Sequence, residues 1–230
     1  MYWNSHLCTM LNIVKVDFLK LDKARISIAN FLAVLFSIGL IGICPAQDYQ
    51  RVLTDSRSQT AKDHLADPRS PITKKDLKHL HYYAPDGKYS LEANFEEFAQ
   101  KDTVTIPTSS GKQKLFIRFG RLNFKLDGQV AGLTAYLSTR TGPGSNHFFV
   151  PFYDLTNGAE TYGGGRFMDI DHSLLVDGKL PLDFNYAYNP WCAYSSGFNC
   201  PIPPEENRLT IPIYAGEKSY TGKHRKGSKS

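Results

Sequence analysis

The side chains with chemistry to offer gather in the second half of the chain. Asp154, Thr156, Glu160, Tyr162 and Arg166 fall close together, and Asp183, Asn185, Tyr188, Asn189 and Asn207 follow. Glu160 and Arg166 are six apart on a segment that reads as strand-like. Even spacing puts both on one face, unless the glycines Gly163, Gly164 and Gly165 introduce a bulge. Asp183 and Asn185 share a face by the same rule. Carboxylates, a guanidinium, amides and phenols beside glycines can bind a small polar ligand. Glu160 or Asp183 can equally serve a hydrolase as general base, or join a metal site. The same residues can instead form a buried polar network, because irregular Pro-rich loops leave backbone groups that need partners. The sequence leaves these readings open. Asp154 and Thr156, just before Asn157-Gly158, are ordinary turn formers whose side chains bond nearby backbone.

Familiar catalytic signatures are missing: there is no G-x-S-x-G, H-E-x-x-H, G-x-x-x-x-G-K-[ST] or C-x-x-C. The three glycines lack the spacing of a dinucleotide loop and read as a strand bend. Asp169 and Asp171 lack the glycine and glutamate of a calcium loop and read as a solvated turn. No cofactor and no resident metal are expected. His79 and His81 flank Leu80, and they are expected to diverge, on opposite faces of a strand or well separated on a helix. Two cysteines, Cys192 and Cys200, follow the N-terminal apolar segment. In an exported chain such a pair favours a disulfide; the rival is metal ligation, with His147 or His172 joining them.

These side chains must be positioned by strands. From Lys88 the apolar period becomes two: Tyr89, Leu91, Ala93 and Phe95, then Leu115–Phe119, then Leu122, Phe124 and Leu126. Asp127-Gly128 supplies a hairpin turn to a strand carrying Leu133, Ala135 and Leu137. Phe148, Val150 and Phe152 continue the pattern. Leu180–Phe184 and Leu209–Ile213 are later strands whose prolines suggest edges or bulges. Before them, Gln47–Leu65 reads as a marginal helix, and Ser70-Pro71 is expected to open a second short one. The expected fold is mainly β: an antiparallel β sandwich or partly open barrel with short N-terminal helices.

Phe31–Cys44 is a 14-residue apolar run, preceded by Lys20, Lys23 and Arg25 and followed by Pro45-Ala46. This is the pattern of a signal peptide cleaved before Gln47, short for a bilayer-spanning helix. The expected division is residues 1–46 as signal peptide, with 1–25 given no structural role and translation starting at Met10 or later. Residues 47–69 form a helical lead-in, 70–218 the β domain and 219–230 a basic flexible tail. The net charge of +5 sits at the two ends; residues 47–220 hold 19 basic and 20 acidic side chains. A nucleic-acid partner is therefore not indicated, nor is a membrane partner once the signal is removed. A monomer is expected, in the periplasm or outside the cell.

Two blocks carry a resemblance. The first runs Phe152-Tyr153-Asp154-Leu155-Thr156-Asn157-Gly158-Ala159-Glu160-Thr161-Tyr162 and on to Arg166. The second runs Asp183-Phe184-Asn185-Tyr186-Ala187-Tyr188-Asn189-Pro190, then Cys192, Cys200-Pro201-Ile202-Pro203-Pro204 and Glu206-Asn207, before Ala215-Gly216-Glu217-Lys218. Over roughly Ser70–Lys218 the chain resembles the family named domain of unknown function 1684. Tyr153 departs from the polar or basic residue expected there. The resemblance implies a shared fold and no established activity. The leading functional reading is a non-catalytic exported domain that binds a small polar ligand or cell-envelope component. The alternatives are a hydrolase using Glu160 or Asp183, and a purely structural envelope module.

Overall fold

In the computed structural model, which describes residues 45–139 and 146–225, one antiparallel sheet organises the chain. Its strands are β1 (Ser90–Glu97), β2 (Thr103–Pro107), β3 (Gln113–Leu126), β4 (Gln129–Ser138), β5 (His147–Phe152), β6 (Arg166–Asp171) and β7 (Lys179–Asp183). Their order is β6-β5-β4-β3-β1-β7, with β2 also on β3. The sheet curls into a half-barrel. The expected signal segment lies outside the described residues, apart from its last two positions.

Strand β3 explains the curl. Along one side it pairs first with β2 and then with β1, while β4 follows its other side from Phe116 to Leu126. The register shifts between Arg118 and Gly120, where β3 changes partner, and leaves Phe119 as the extra residue of a bulge. The sequence suggests two strands here; the structure has one bulged strand. Asp127 and Gly128 then turn the chain with φ of 51° and 79°, the left-handed pair that matches the twist of a two-residue hairpin. β7 is an edge strand, so Pro181 is tolerated there. β2 and β6 are not expected from the sequence. Asp169 and Asp171 belong to β6, not to a solvated turn.

The inner face holds Leu122, Phe124, Leu126, Leu133, Phe148, Val150, Phe152, Leu180 and Leu182. The segment after Asn207 enters the same core through Leu209, Ile211, Ile213 and Ala215. It alternates as a strand should, yet it is not part of the sheet. As far as Ile211 it pairs with Tyr153–Leu155, through Leu209 N to Tyr153 O (2.8 Å) and Leu155 N to Ile211 O (3.4 Å); the backbone polar groups from Ile213 on need other partners.

At the N-terminal end the first expected helix forms as α1, Pro45–Ala66, and the second shrinks to a 3-10 turn, Leu77–His79, that begins after Asp76. Tyr49, Leu53, Arg57, Ala61 and His64 recur at helical spacing, but only Leu53 and His64 are fully buried. The docking stripe is polar and aromatic, so an apolar pattern does not reveal it. Ser70-Pro71 opens no helix. The Ser70 hydroxyl instead accepts from Ile72 N at 3.2 Å, and Asp76 closes a turn by accepting from Thr73 N and Oγ1. The expected flexible tail is docked as far as Arg225: Tyr220 packs edge-on against Tyr194 at 5.3 Å, and Arg225 N donates to Tyr194 O. Cys192 and Cys200 form the expected pair, with Cα atoms 6.3 Å apart.

Candidate functional site

The chain leaves β5 at Phe152 and returns at Arg166, the first residue of β6. Between them lies a knotted turn. Asp154 Oδ1 accepts from Thr156 N (2.8 Å) and Thr156 Oγ1 (2.5 Å). Asn157 Oδ1 accepts from Asp154 N, and its amide donates to Thr161 Oγ1 and Tyr162 O. Each side chain satisfies a backbone or hydroxyl group of the same turn.

Arg166 and Asp154 then reach out of the turn to the segment that fills the half-barrel. Both side chains are fully buried and joined at 2.9 Å. Arg166 Nη2 also donates to Ile213 O (2.9 Å), and Nη1 donates to Ala215 O and Glu217 O. Asp154 Oδ1 accepts from Ile213 N at 3.1 Å. One guanidinium and one carboxylate thus supply bonds that a neighbouring strand would have given. Arg166 pairs with neither Glu160, which even spacing would put on its face, nor Asp183. Residues 154–165 are a turn, so alternation across a strand does not apply to them. Glu160 is exposed, accepting from Tyr83 OH at 3.0 Å and lying 3.5 Å from Lys218 Nζ.

The other motif residues follow the same logic. Asn207 bridges β4 and β5, which pair with each other only at Tyr136 and Phe149. Its Oδ1 accepts from Thr134 N (2.7 Å), and its Nδ2 donates to Thr134 O and Pro151 O. Asp183 and Asn185 do meet, through a cap on the turn Phe184–Tyr186. Asp183 Oδ2 also accepts from Tyr49 OH of α1 at 2.7 Å, and Asn185 holds both backbone groups of Asp86. Burial, then the bond to Asp183, raises the Tyr49 phenol above its ordinary range. Tyr188 donates to Asp169 at 2.6 Å. Tyr162 is half-buried against the small cluster around Ile72, Ala193 and Tyr194.

Glu217 is the residue that sequence reasoning missed. It lies within Ala215-Gly216-Glu217-Lys218, but a lone glutamate near a basic end carries no signal of burial. It is 2% exposed. Its oxygens accept from Asn189 N (2.9 Å) and Tyr194 OH (2.6 Å), while Asn189 Nδ2 donates to Lys218 O. Burial lifts the carboxyl from 4.5 to about 7, against the opposing pull of Asn189, Tyr194 and Arg166. Gly216 makes this approach possible. Its φ is +77°, and a Cβ there would lie 2.6 Å from Ala187 O and 2.8 Å from Phe184 O.

Chemically, this arrangement pins loops. Asp154, Asp183 and Glu217 already hold their donors, and Glu160 stands at the surface. A surface depression of about 500 Å³ runs along β1 and β7 past Leu91, Glu92, Leu174, Val176, Lys179 and Pro181; none of the motif residues lines it. Among the described residues no three or more His, Cys, Asp or Glu side chains converge as a metal cluster. No described helix is long and apolar enough to cross a membrane. The histidines expected to diverge converge instead: His79 Nδ1 and His81 Nε2 lie 3.2 and 3.0 Å from Thr221 Oγ1. His79 ends a 3-10 turn, Leu77–His79, and the chain is extended from Leu80, so neither one strand nor one helix sets the two faces and the expectation of divergence does not hold.

The fold is shared with a solved protein. The solution NMR structure of an uncharacterised protein from Haloarcula marismortui matches with a TM-score of 0.60 and 34% identity, over 76% of this chain and 96% of that one. No curated protein matches. Residues 75–218 match the family described as protein of unknown function (DUF1684). That match begins at the turn before the sheet and ends one residue past Glu217, taking in Asp154, Arg166, Asn207 and the segment they hold. The chain belongs to the DUF1684 family.

Proposed function

We propose that this chain is an exported, non-catalytic domain that binds a polar component of the cell envelope, and that its motif residues serve as scaffold. The observation that carries this reading is the division of the motif. Asp154, Arg166, Asn207 and Glu217 are spent inside on backbone groups, while Glu160 stands outside with Tyr83, Tyr214 and Lys218. Tyr83 and Tyr214 pack edge to face at 6.1 Å, Tyr214 is 46% exposed, and Lys218 Nζ lies over the Tyr83 ring at 4.6 Å. Phenol rings beside a carboxylate and an ammonium offer flat apolar contact together with hydrogen bonding, which suits a carbohydrate surface. Export is supported by the apolar run before Gln47 and by the cysteine pair.

The test is co-sedimentation of the chain, recovered from the producing cell, with purified insoluble cell-wall polysaccharide. The chain should begin near Gln47 by intact mass and should pellet with the polymer. Tyr83→Ala combined with Tyr214→Ala should release it to the supernatant with melting temperature nearly unchanged. Failure of the parent chain to pellet, or pelleting untouched by the double change, refutes the reading.

A further inference from the structure

The segment His79–Tyr83 runs antiparallel to Gly216–Thr221. Tyr83 N donates to Gly216 O (3.0 Å), Lys218 N to His81 O (2.8 Å) and Thr221 N to His79 O (3.3 Å). This pairing fixes the backbone from which two imidazoles rise on one side. His79 Nδ1 and His81 Nε2 meet at one atom, Thr221 Oγ1, at 3.2 and 3.0 Å. A hydroxyl has a single proton, so it can donate to only one of the two nitrogens. The other must turn a protonated nitrogen toward it. Two convergent imidazoles with a hydroxyl between them make a donor set of two nitrogens and one oxygen.

We propose that His79, His81 and Thr221 form a surface site for a borderline divalent cation such as Zn²⁺, Cu²⁺ or Ni²⁺. Neutral imidazole is the common ligand of these ions, at about 2.0–2.1 Å for zinc. Small ring rotations exchange the hydroxyl bonds for bonds to one shared ion, with water completing the shell. The surroundings leave the three donors available. Asp76 is taken by Thr73, Tyr220 and Arg225. Lys218 is turned to Glu160 and the Tyr83 ring. His79 is braced edge-on by Tyr220 at 6.0 Å. The site is independent of carbohydrate binding, because neither histidine belongs to that proposed contact.

The untagged full chain is titrated with ZnCl₂ while the imidazole proton signals are followed by NMR. The expected result is saturable binding of one equivalent, shifting two imidazoles, with affinity lowered about tenfold or more in His81→Ala and lost in His79→Ala/His81→Ala. His224→Ala, which changes another exposed histidine, should bind as the parent does. Imidazole binds metal only when deprotonated, so affinity should also fall on acidification. The inference is overturned if the parent shows no saturable binding even at about 1 mM, or if other histidines respond instead. It is equally overturned if the double variant binds as the parent does. Melting temperature reports folding, and His81→Gln, which keeps the bulk, replaces the double variant should that fail to fold.

Discussion

Arg166 is the residue on which the motif turns. A fully buried guanidinium beside the Phe152 ring is tolerated because it meets Asp154 and three carbonyls of the inserted segment. Removing it leaves a buried carboxylate without its charge partner and several carbonyls without donors. Arg166→Ala should therefore lower the unfolding free energy by about 3–5 kcal/mol, read from urea denaturation. Arg166→Lys should recover little, because one ammonium cannot spread its donors over opposite sides as a planar fork does. A loss under about 1 kcal/mol would mean that the network is not what holds the segment.

At the scale of elements, the weak join is between β4 and β5. Their ladder amounts to the single register pair Tyr136 and Phe149, and Asn207 stands in for what is missing. Asn207→Ala would leave Thr134 N, Thr134 O and Pro151 O to find other partners in a dry interior. Each buried group left unsatisfied costs about 1–3 kcal/mol, so a net loss of about 3 kcal/mol is expected. Amide exchange should localise it: Thr134 should exchange faster by orders of magnitude, while the β3–β4 hairpin turn at Asp127-Gly128 keeps its protection. Equal loosening of both would place the effect elsewhere. Helix α1 is a different sort of element, anchored by Tyr49, Leu53 and His64, with the Arg57 guanidinium 4.7 Å from the Tyr82 ring centroid.

For the whole molecule, the buried carboxyl of Glu217 couples stability to pH. Its folded value of about 7 lies above the ordinary 4.5. Between these values the folded chain keeps a proton that the unfolded chain has released, so this group's contribution to stability falls as pH rises. The loss spans pH 4.5 to 7 and amounts to about 3 kcal/mol, with no further change above. His64, whose value burial lowers, acts with the opposite sign near its own titration. Comparison with Glu217→Gln separates the two. The stability of the parent relative to this variant should decline from pH 5 to pH 8, as followed by the urea midpoint. A difference that does not vary with pH would show that Glu217 titrates normally.

Some of this was legible in the sequence because its causes are local. Period-two alternation in Tyr89–Phe95 and Leu122–Leu126, the Asp127-Gly128 turn and Pro181 at an edge each follow from residues within one strand or turn. The motif blocks marked the family and the residues that matter. The local turn role of Asp154 and Thr156 was legible; the long-range partners of the motif residues were not, because they depend on segments far apart in sequence. Leu209–Ile213 alternates like any strand, and only the tertiary structure decides that it fills the half-barrel, paired with Tyr153–Leu155 only as far as Ile211. From that follow the burial of Arg166, its choice of Asp154 over Glu160, and the burial of Glu217. Helix α1 was legible as a helix over Gln47–Leu65; its docking face was not, because that stripe gains meaning only from Asp183, Tyr82 and Tyr194, which lie across the fold. Sequence determines what each segment can do alone; packing decides which buried polar groups lack partners, and so which side chains must supply them.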